Sequence, residues 1–345
     1  MIQQHETYMQ RCLDLALKGM GRVAPNPIVG SVIVHNGHII GEGYHMQYGG
    51  PHAEVNAIAS VQDETLLKES TLYVNLEPCS HYGKTPPCAD LILTKQIPRV
   101  VIGSYDPNPK VAGKGIQRLK DAGVEVITEV LKTESDFLNR RFLTYHTLHR
   151  PYVVLKWAQS SDGFMGLNEP KQLWLTNALS KKLSHKWRTE EQAILVGRNT
   201  VTIDDSELTA RLWPGNNPLR VVIDRNLVLT SDKKIFNSEA DTLIVNSIKD
   251  ETTDHLHYCK IDFEADVPAQ ILTLLYKRNI LSIIIEGGAQ TLHSFIHSQL
   301  WDEARIFTTP HTLKHGIPAP VLPGKLIEER IIETDKLQVL LNNRV

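Results

Sequence analysis

The chain has 345 residues, of which 41% are hydrophobic and 22% charged, with four cysteines and a formal net charge of −2 at pH 7. That length exceeds one usual core and suggests two domains, the near-neutral balance without blocks of like charge advertises no polyanion-binding face, and so few cysteines make no disulfide framework. No apolar run approaches the roughly 20 residues needed to cross a bilayer, and the start Met1-Ile2-Gln3-Gln4-His5-Glu6 lacks the basic-then-apolar pattern of a secretory leader, so a cytoplasmic protein is expected.

Tyr8, Met9, Cys12, Leu13, Ala16 and Leu17 recur at helical spacing, and Gly19 ends the pattern. Cys12 on this stripe reads as a small buried hydrophobe, and so does Cys259. Residues 29–34 and 38–43 read as strands joined at Asn36-Gly37, a strong hairpin signal. A helix over 52–61 opens behind Pro51. Strands at 71–76, 99–104 and 124–128 alternate with helices at 88–95 and 112–122, and one closing helix spans 136–149. Arg150-Pro151 marks the boundary, because a proline disfavours helix in the residue before it; the expected domains are 1–149 and 150–345. Beyond it, strands at 152–158, 193–197, 219–224, 242–246, 282–286 and 305–308 surround helices at 177–190, 268–277 and 289–300. The alternation predicts two α/β domains, an α/β/α sandwich with a mixed sheet followed by one of a nucleotide-binding kind.

The chemistry of the first half gathers at His52-Ala53-Glu54, Pro78-Cys79 and Cys88. An imidazole and two thiolates give a tetrahedral zinc three ligands and leave the fourth position for water, whereas a closed structural site takes four protein ligands. Zinc lowers the pKa of bound water to about 7. Glu54 is then the proton carrier and not a ligand. H-x-E with P-C is a zinc-deaminase pattern, although Ser80 to Pro87 separate the cysteines where two residues are usual. A structural zinc closed by His81 is the competing arrangement.

The run Glu77-Pro78-Cys79-Ser80-His81-Tyr82-Gly83-Lys84-Thr85-Pro86-Pro87-Cys88, with Ala24-Pro25-Asn26-Pro27-Ile28-Val29-Gly30 and Gly49-Gly50-Pro51-His52, resembles the deaminase half of the bifunctional deaminase/reductase family of riboflavin biosynthesis. The resemblance continues through Val153-Val154-Leu155-Lys156-Trp157-Ala158, Val196-Gly197-Arg198-Asn199-Thr200, Asp204 to Arg211, and Ile285-Glu286-Gly287-Gly288-Ala289, to about residue 325. It implies a cytidine-deaminase-like domain over 1–149, and a dihydrofolate-reductase-like domain over 150–345 that uses NADPH. The implied reactions are hydrolytic deamination of a phosphoribosylated diaminopyrimidinone, then reduction of its ribosyl side chain to ribityl.

Carried over residue by residue, the resemblance places Ala158, Trp174, Thr200, Asp204 and Gly288 at NADPH, and Arg188, Leu208, Arg211 and Glu286 at the substrate. Arg198 falls where related G-R-x-T motifs meet the cofactor's 2′-phosphate, which a guanidinium fork suits, with a surface arginine as the alternative. Asn26 contacts the pyrimidine and ribose side of the substrate on this reading, or else simply caps its turn. His81 and Lys84 sit in the intercysteine loop, where a lysine offers a point charge to phosphate or is only a solvated charge. Lys156, between apolar neighbours, either snorkels or reaches the substrate. Gln172 departs from the family's serine and its role is left open. Glu286-Gly287-Gly288 suits a pyrophosphate at a helix start, yet it is not G-x-G-x-x-G, and NADPH follows from the resemblance alone. The partners implied are this small substrate and further copies of the chain, with no nucleic acid and no membrane. A tRNA-type zinc deaminase with a degenerate second domain is the alternative, disfavoured by the long intercysteine loop and the acidic balance.

Overall fold

The computed structural model describes residues 2–80, 86–108, 112–169 and 171–343. They form two units, Met1–His149 and Arg150–Val345. In the first, α1 (Ile2–Ala16) precedes the hairpin β1 (Gly30–His35) and β2 (His38–Tyr44), which turns at Asn36-Gly37 with φ of 48° and 80°. Then follow α2 (Ala53–Ala59), β3 (Thr71–Leu76), α3 (Cys88–Thr94), β4 (Arg99–Ser104), α4 (Lys114–Asp121), β5 (Glu125–Ile127), α5 (Lys132–Leu138) and α6 (Arg140–Leu148).

The sheet order is β2-β1-β3-β4-β5, with β1 antiparallel to both neighbours and the rest parallel. Alternation along β1 sends Val32 and Val34 to a cluster with Met9 and Cys12 of α1, and Ile33 to the opposite cluster with Ala57 and Ile58 of α2 and Ala89 and Ile92 of α3. Because α2 and α3 share that face, the residues that open them, His52 and Cys88, can meet.

The closing helix expected over 136–149 is instead two helices. Asn139, at φ −95° and ψ 16°, separates α5 from α6. Its buried amide takes the Ile28 N–H at 2.8 Å and donates to the Ile28 carbonyl at 2.9 Å, side-chain-to-backbone bonds of the kind that compete with a continuous helix. This ties down the loop that carries Asn26. Asn139→Ala leaves the buried Ile28 N–H without this partner, while the Ile28 carbonyl keeps Asn75 Nδ2 at 3.1 Å, and is expected to cost about 1–3 kcal/mol, seen as a lower urea midpoint of the first unit.

The second unit runs β6 (Tyr152–Gln159), β7 (Phe164–Gly166), α7 (Ala178–Glu190), β8 (Ala193–Gly197), α8 (Arg198–Asp204), β9 (Leu219–Ile223), β10 (Thr242–Asn246), β11 (Glu251–Thr253), β12 (Leu256–Lys260), α9 (Val267–Lys277), β13 (Ser282–Gly287), α10 (Ala289–His297), β14 (Glu303–Thr308), β15 (Ile317–Pro318), β16 (Lys325–Ile332) and β17 (Asp335–Leu341). Ten strands make one sheet in the order β11-β12-β10-β9-β8-β13-β6-β14-β17-β16. From β12 to β14 they are parallel. Val153, Leu155 and Trp157 face α9 and α10, while Tyr152 and Val154 face Trp187 of α7 and Val201 of α8.

The two C-terminal strands exceed the sequence expectation. Leu337 and Val339 of β17 are core residues, but β16 lies at the edge with seven of its eight residues exposed. The opposite edge, β11, is three exposed polar residues. No helix among the described residues is long and apolar enough to cross a membrane.

Candidate functional site

In the first unit the strand end of β3 and the starts of α2 and α3 bring three ligand atoms together. His52 Nδ1 lies 3.6 Å from Cys79 Sγ and 3.3 Å from Cys88 Sγ, and all three atoms fall within 4.8 Å of one another. The Cys88 N–H, at the start of α3, donates to Cys79 Sγ at 3.3 Å. The hydrogen bond with Cys88 pulls Cys79 down to about 4 against its burial, with help from His52, and the bond with Cys79 raises His52 to about 9. The same Cys79 bond, with burial, pushes Cys88 well up. Two sulfurs and an imidazole nitrogen at these spacings form a donor set suited to zinc.

Glu54, 3% exposed in the first turn of α2, stands beside this cluster without belonging to it. Burial, then the charge of Cys79, raises it to about 7, where a carboxyl can both take and give a proton at neutral pH. A bound cation would shift all these groups toward their deprotonated forms, thiolate, carboxylate and neutral imidazole. Asn26 donates to His45 Nε2 at 3.1 Å while His45 Nδ1 donates to the Pro51 carbonyl at 2.9 Å, a pairing that fixes the imidazole tautomer. The His45 ring packs edge-on to His52, with centroids 5.5 Å apart. Sequence reasoning missed His45, a lone histidine with no spacing signal. His81 and Lys84 lie outside the described residues.

Glu77, one residue ahead of Pro78-Cys79, was also missed. Its buried carboxylate accepts N–H groups from Gly115 at 3.0 Å and Ile116 at 3.3 Å through Oε1, and from Gly113 at 3.0 Å and Asp106 at 3.3 Å through Oε2. It caps α4 from a distance and clamps that helix against the zinc-binding turn. Gly115 is needed for the approach, since a Cβ there would lie 2.1 Å from the Pro78 carbonyl. Glu77→Gln turns an amide N–H toward two of these donors and is expected to weaken zinc binding about 10–100-fold. Competition with a chromogenic chelator measures this, and an unchanged circular-dichroism spectrum controls for folding.

In the second unit a cleft of about 950 Å³ opens at the carboxyl ends of β6, β8 and β13, where the strand order reverses. Ala158, Trp174, Arg198, Thr200, Asp204 and Gly288 line it, together with Lys156 and Glu286. Gly287 has φ 155°, which favours glycine, and Gly288 opens α10 with its N–H bonded to Thr200 Oγ1 at 3.1 Å. Such a cleft, with a glycine turn at a helix start and a guanidinium in its wall, fits a phosphorylated dinucleotide.

Arg188 reaches Glu286 with Nη2 at 2.6 Å and Nε at 3.2 Å. Burial would raise the Glu286 carboxyl, but the charges of Arg188 and Lys156 outweigh it and hold it at about 2. Burial lowers the Lys156 ammonium in turn. Leu208 and Arg211 are not brought into the cleft lining. Leu208 is 3% exposed in the core with φ 60°, and Arg211 pairs with Glu207 at 3.7 Å. Gln172 donates to the Asp204 carbonyl at 3.3 Å.

Residues 2–104 match the family model for the cytidine and deoxycytidylate deaminase zinc-binding region, and 151–329 match that for the RibD C-terminal domain. The riboflavin biosynthesis protein RibD of Aquifex aeolicus is 39% identical over 331 residues, covering 94% of this chain and 92% of its own. A crystal structure of a diaminohydroxyphosphoribosylaminopyrimidine deaminase/5-amino-6-(5-phosphoribosylamino)uracil reductase from Thermotoga maritima is 37% identical with a TM-score of 0.90, covering 99% of both chains. One form of Acinetobacter baumannii RibD is 32% identical with a TM-score of 0.91, again over 99% of both. These likenesses bear out the expected α/β fold class and the family resemblance, and zinc and NADPH with them. The chain belongs to the RibD family, the bifunctional zinc-dependent deaminases and NADPH-dependent reductases of riboflavin biosynthesis.

Proposed function

We propose that residues 1–149 deaminate a phosphoribosylated diaminopyrimidinone and that residues 150–345 reduce the ribosyl chain of the resulting aminouracil to ribityl. The convergence of His52, Cys79 and Cys88 beside a buried Glu54 is the observation that carries the first step. Those three residues would hold zinc, which would supply a water activated at neutral pH. Glu54 accepts that water's proton and delivers it toward the departing amine. Asn26, held by His45, presents its amide to the substrate, and His81 and Lys84 serve the same substrate from the intercysteine loop.

In the second step Gly288, Thr200, Ala158, Trp174, Asp204 and Arg198 hold NADPH, which supplies the hydride. Lys156 and Glu286 face the cleft as substrate contacts, with Arg188 keeping Glu286 ionised. Leu208 acts through its backbone, because its side chain is packed in the core, and Arg211 completes the substrate set. Correct placement of hydride and carbon is the protein's contribution here. The reading extends to a cytoplasmic enzyme that self-associates.

The test is a paired assay of the full chain with the phosphoribosylated diaminopyrimidinone. Ammonia release with or without NADPH, and NADPH oxidation only after deamination, is the expected outcome. Ammonia without oxidation would remove the reductase assignment, and neither signal from zinc-replete protein would remove both.

A further inference from the structure

Residues 171–176, just ahead of α7, form one wall of the cofactor cleft without a helix or strand of their own. Lys171, Leu173, Trp174, Leu175 and Thr176 line the cleft, whereas Gln172 does not. A stretch with no backbone ladder needs side chains to hold its shape. At its far end Asn177 is an anchor, since its N–H donates to Asp335 at 2.9 Å and its amide to the Ile332 carbonyl at 2.7 Å. Within the wall itself only Leu175 is buried.

Gln172 supplies a second anchor by donating its amide N–H to the Asp204 carbonyl at 3.3 Å. Asp204 ends α8, and the last carbonyls of a helix have no partner inside it. The bond therefore ties the wall to the short helix that carries Arg198, Thr200 and Asp204, three residues of the cofactor set. The serine common at this position in the family is two bonds shorter and falls short of that carbonyl.

Trp174 is 61% exposed at the cleft, a large apolar ring that the protein leaves uncovered. Lys181, near the start of α7, sets its ammonium 3.9 Å from the ring centroid and is not part of the cleft lining. The cation thus backs one face of the indole and leaves the other for a flat group of the ligand.

We propose that Gln172 and Lys181 are positioning residues of the cofactor site, Gln172 pinning the wall to the end of α8 and Lys181 holding the Trp174 ring in place against NADPH. Position 172 then serves the cofactor and not the pyrimidine. The proposal rests on the assignment of Trp174 and Asp204 to NADPH made above.

Titration calorimetry of NADPH into the full chain, with steady-state reduction of the aminouracil, tests it. Q172S and K181M should each raise the NADPH dissociation constant about two- to tenfold while the aminouracil KM at saturating NADPH stays unchanged. K181R keeps a cation over the ring and should bind NADPH as the wild type does. W174A should itself weaken NADPH binding, and adding K181M to it should cost nothing more, because the ring through which Lys181 acts is gone. Normal NADPH binding by W174A would remove the cofactor reading of this wall. Weakened binding by W174A, with none in Q172S or K181M, would overturn the positioning roles alone. A raised aminouracil KM in Q172S, with NADPH binding unchanged, would make Gln172 a substrate contact and overturn its assignment. An equal effect of K181M with and without Trp174 would reduce Lys181 to a general charge near the phosphates and overturn its part.

Discussion

Glu54→Gln is expected to slow ammonia release about 10²–10⁴-fold, the usual worth of a positioned proton carrier. The amide matches the carboxylate in size within a site that leaves Glu54 only 3% exposed, so packing against α2 changes little. What it loses is the ability to accept a proton and return it. Zinc content should be unchanged, because the cluster of His52, Cys79 and Cys88 does not include this residue. NADPH oxidation with the preformed aminouracil should also persist. A variant that keeps its deamination rate would remove Glu54 from the mechanism, and one that loses zinc would make it a structural residue.

The second large effect lies at Arg188. Its guanidinium engages both Glu286 oxygens, and their side chains are 13% and 7% exposed. Arg188→Leu strands a buried carboxylate, leaving it chiefly to Lys156, and is expected to cost about 3–5 kcal/mol as well as reductase activity. Arg188→Leu/Glu286→Gln removes the stranded charge and should recover much of the stability but not the activity.

The pH dependence has a definite sign. Glu286 is held at about 2 against an ordinary 4.5, so the ion pair stabilises the fold fully above about 4.5 and progressively less as pH falls toward 2. Urea midpoints across that window should fall steeply with acid in the wild type and only shallowly in Arg188→Leu. Equal slopes would mean that Arg188 does not set the charge of Glu286.

The metal site was legible in the sequence because its chemistry needs particular atoms at close spacing. His52, Cys79 and Cys88 can be picked out as a donor set before any fold is known, and the strand–helix alternation shows that they sit at element ends. Asn36-Gly37 was legible for a similar reason, since two positive φ values demand such residues locally. The break at Asn139 was not, because its cause is a bond to Ile28, 111 positions away in the chain. Glu77 and His45 escaped for the same reason, each defined by backbone or side-chain partners brought in by folding. Leu208 shows the opposite limit. The resemblance marks its position, but only the structure places its side chain in the core.

The insertion of β13 between β6 and β8 sets a timetable for synthesis. The first unit can complete its sheet once Ile127 has left the ribosome, with every zinc ligand already made. In the second unit β6 is finished at Gln159, but its two neighbours are Ser282–Gly287 and Glu303–Thr308. At about 5–20 residues per second, its Val- and Leu-rich edges wait roughly six to thirty seconds for partners. That interval makes the nascent second unit the part of the chain most exposed to aggregation and most in need of a holding chaperone. A chain cut short before Ser282 would lose the middle of that sheet, not its fringe, and should be left with the first unit's chemistry alone.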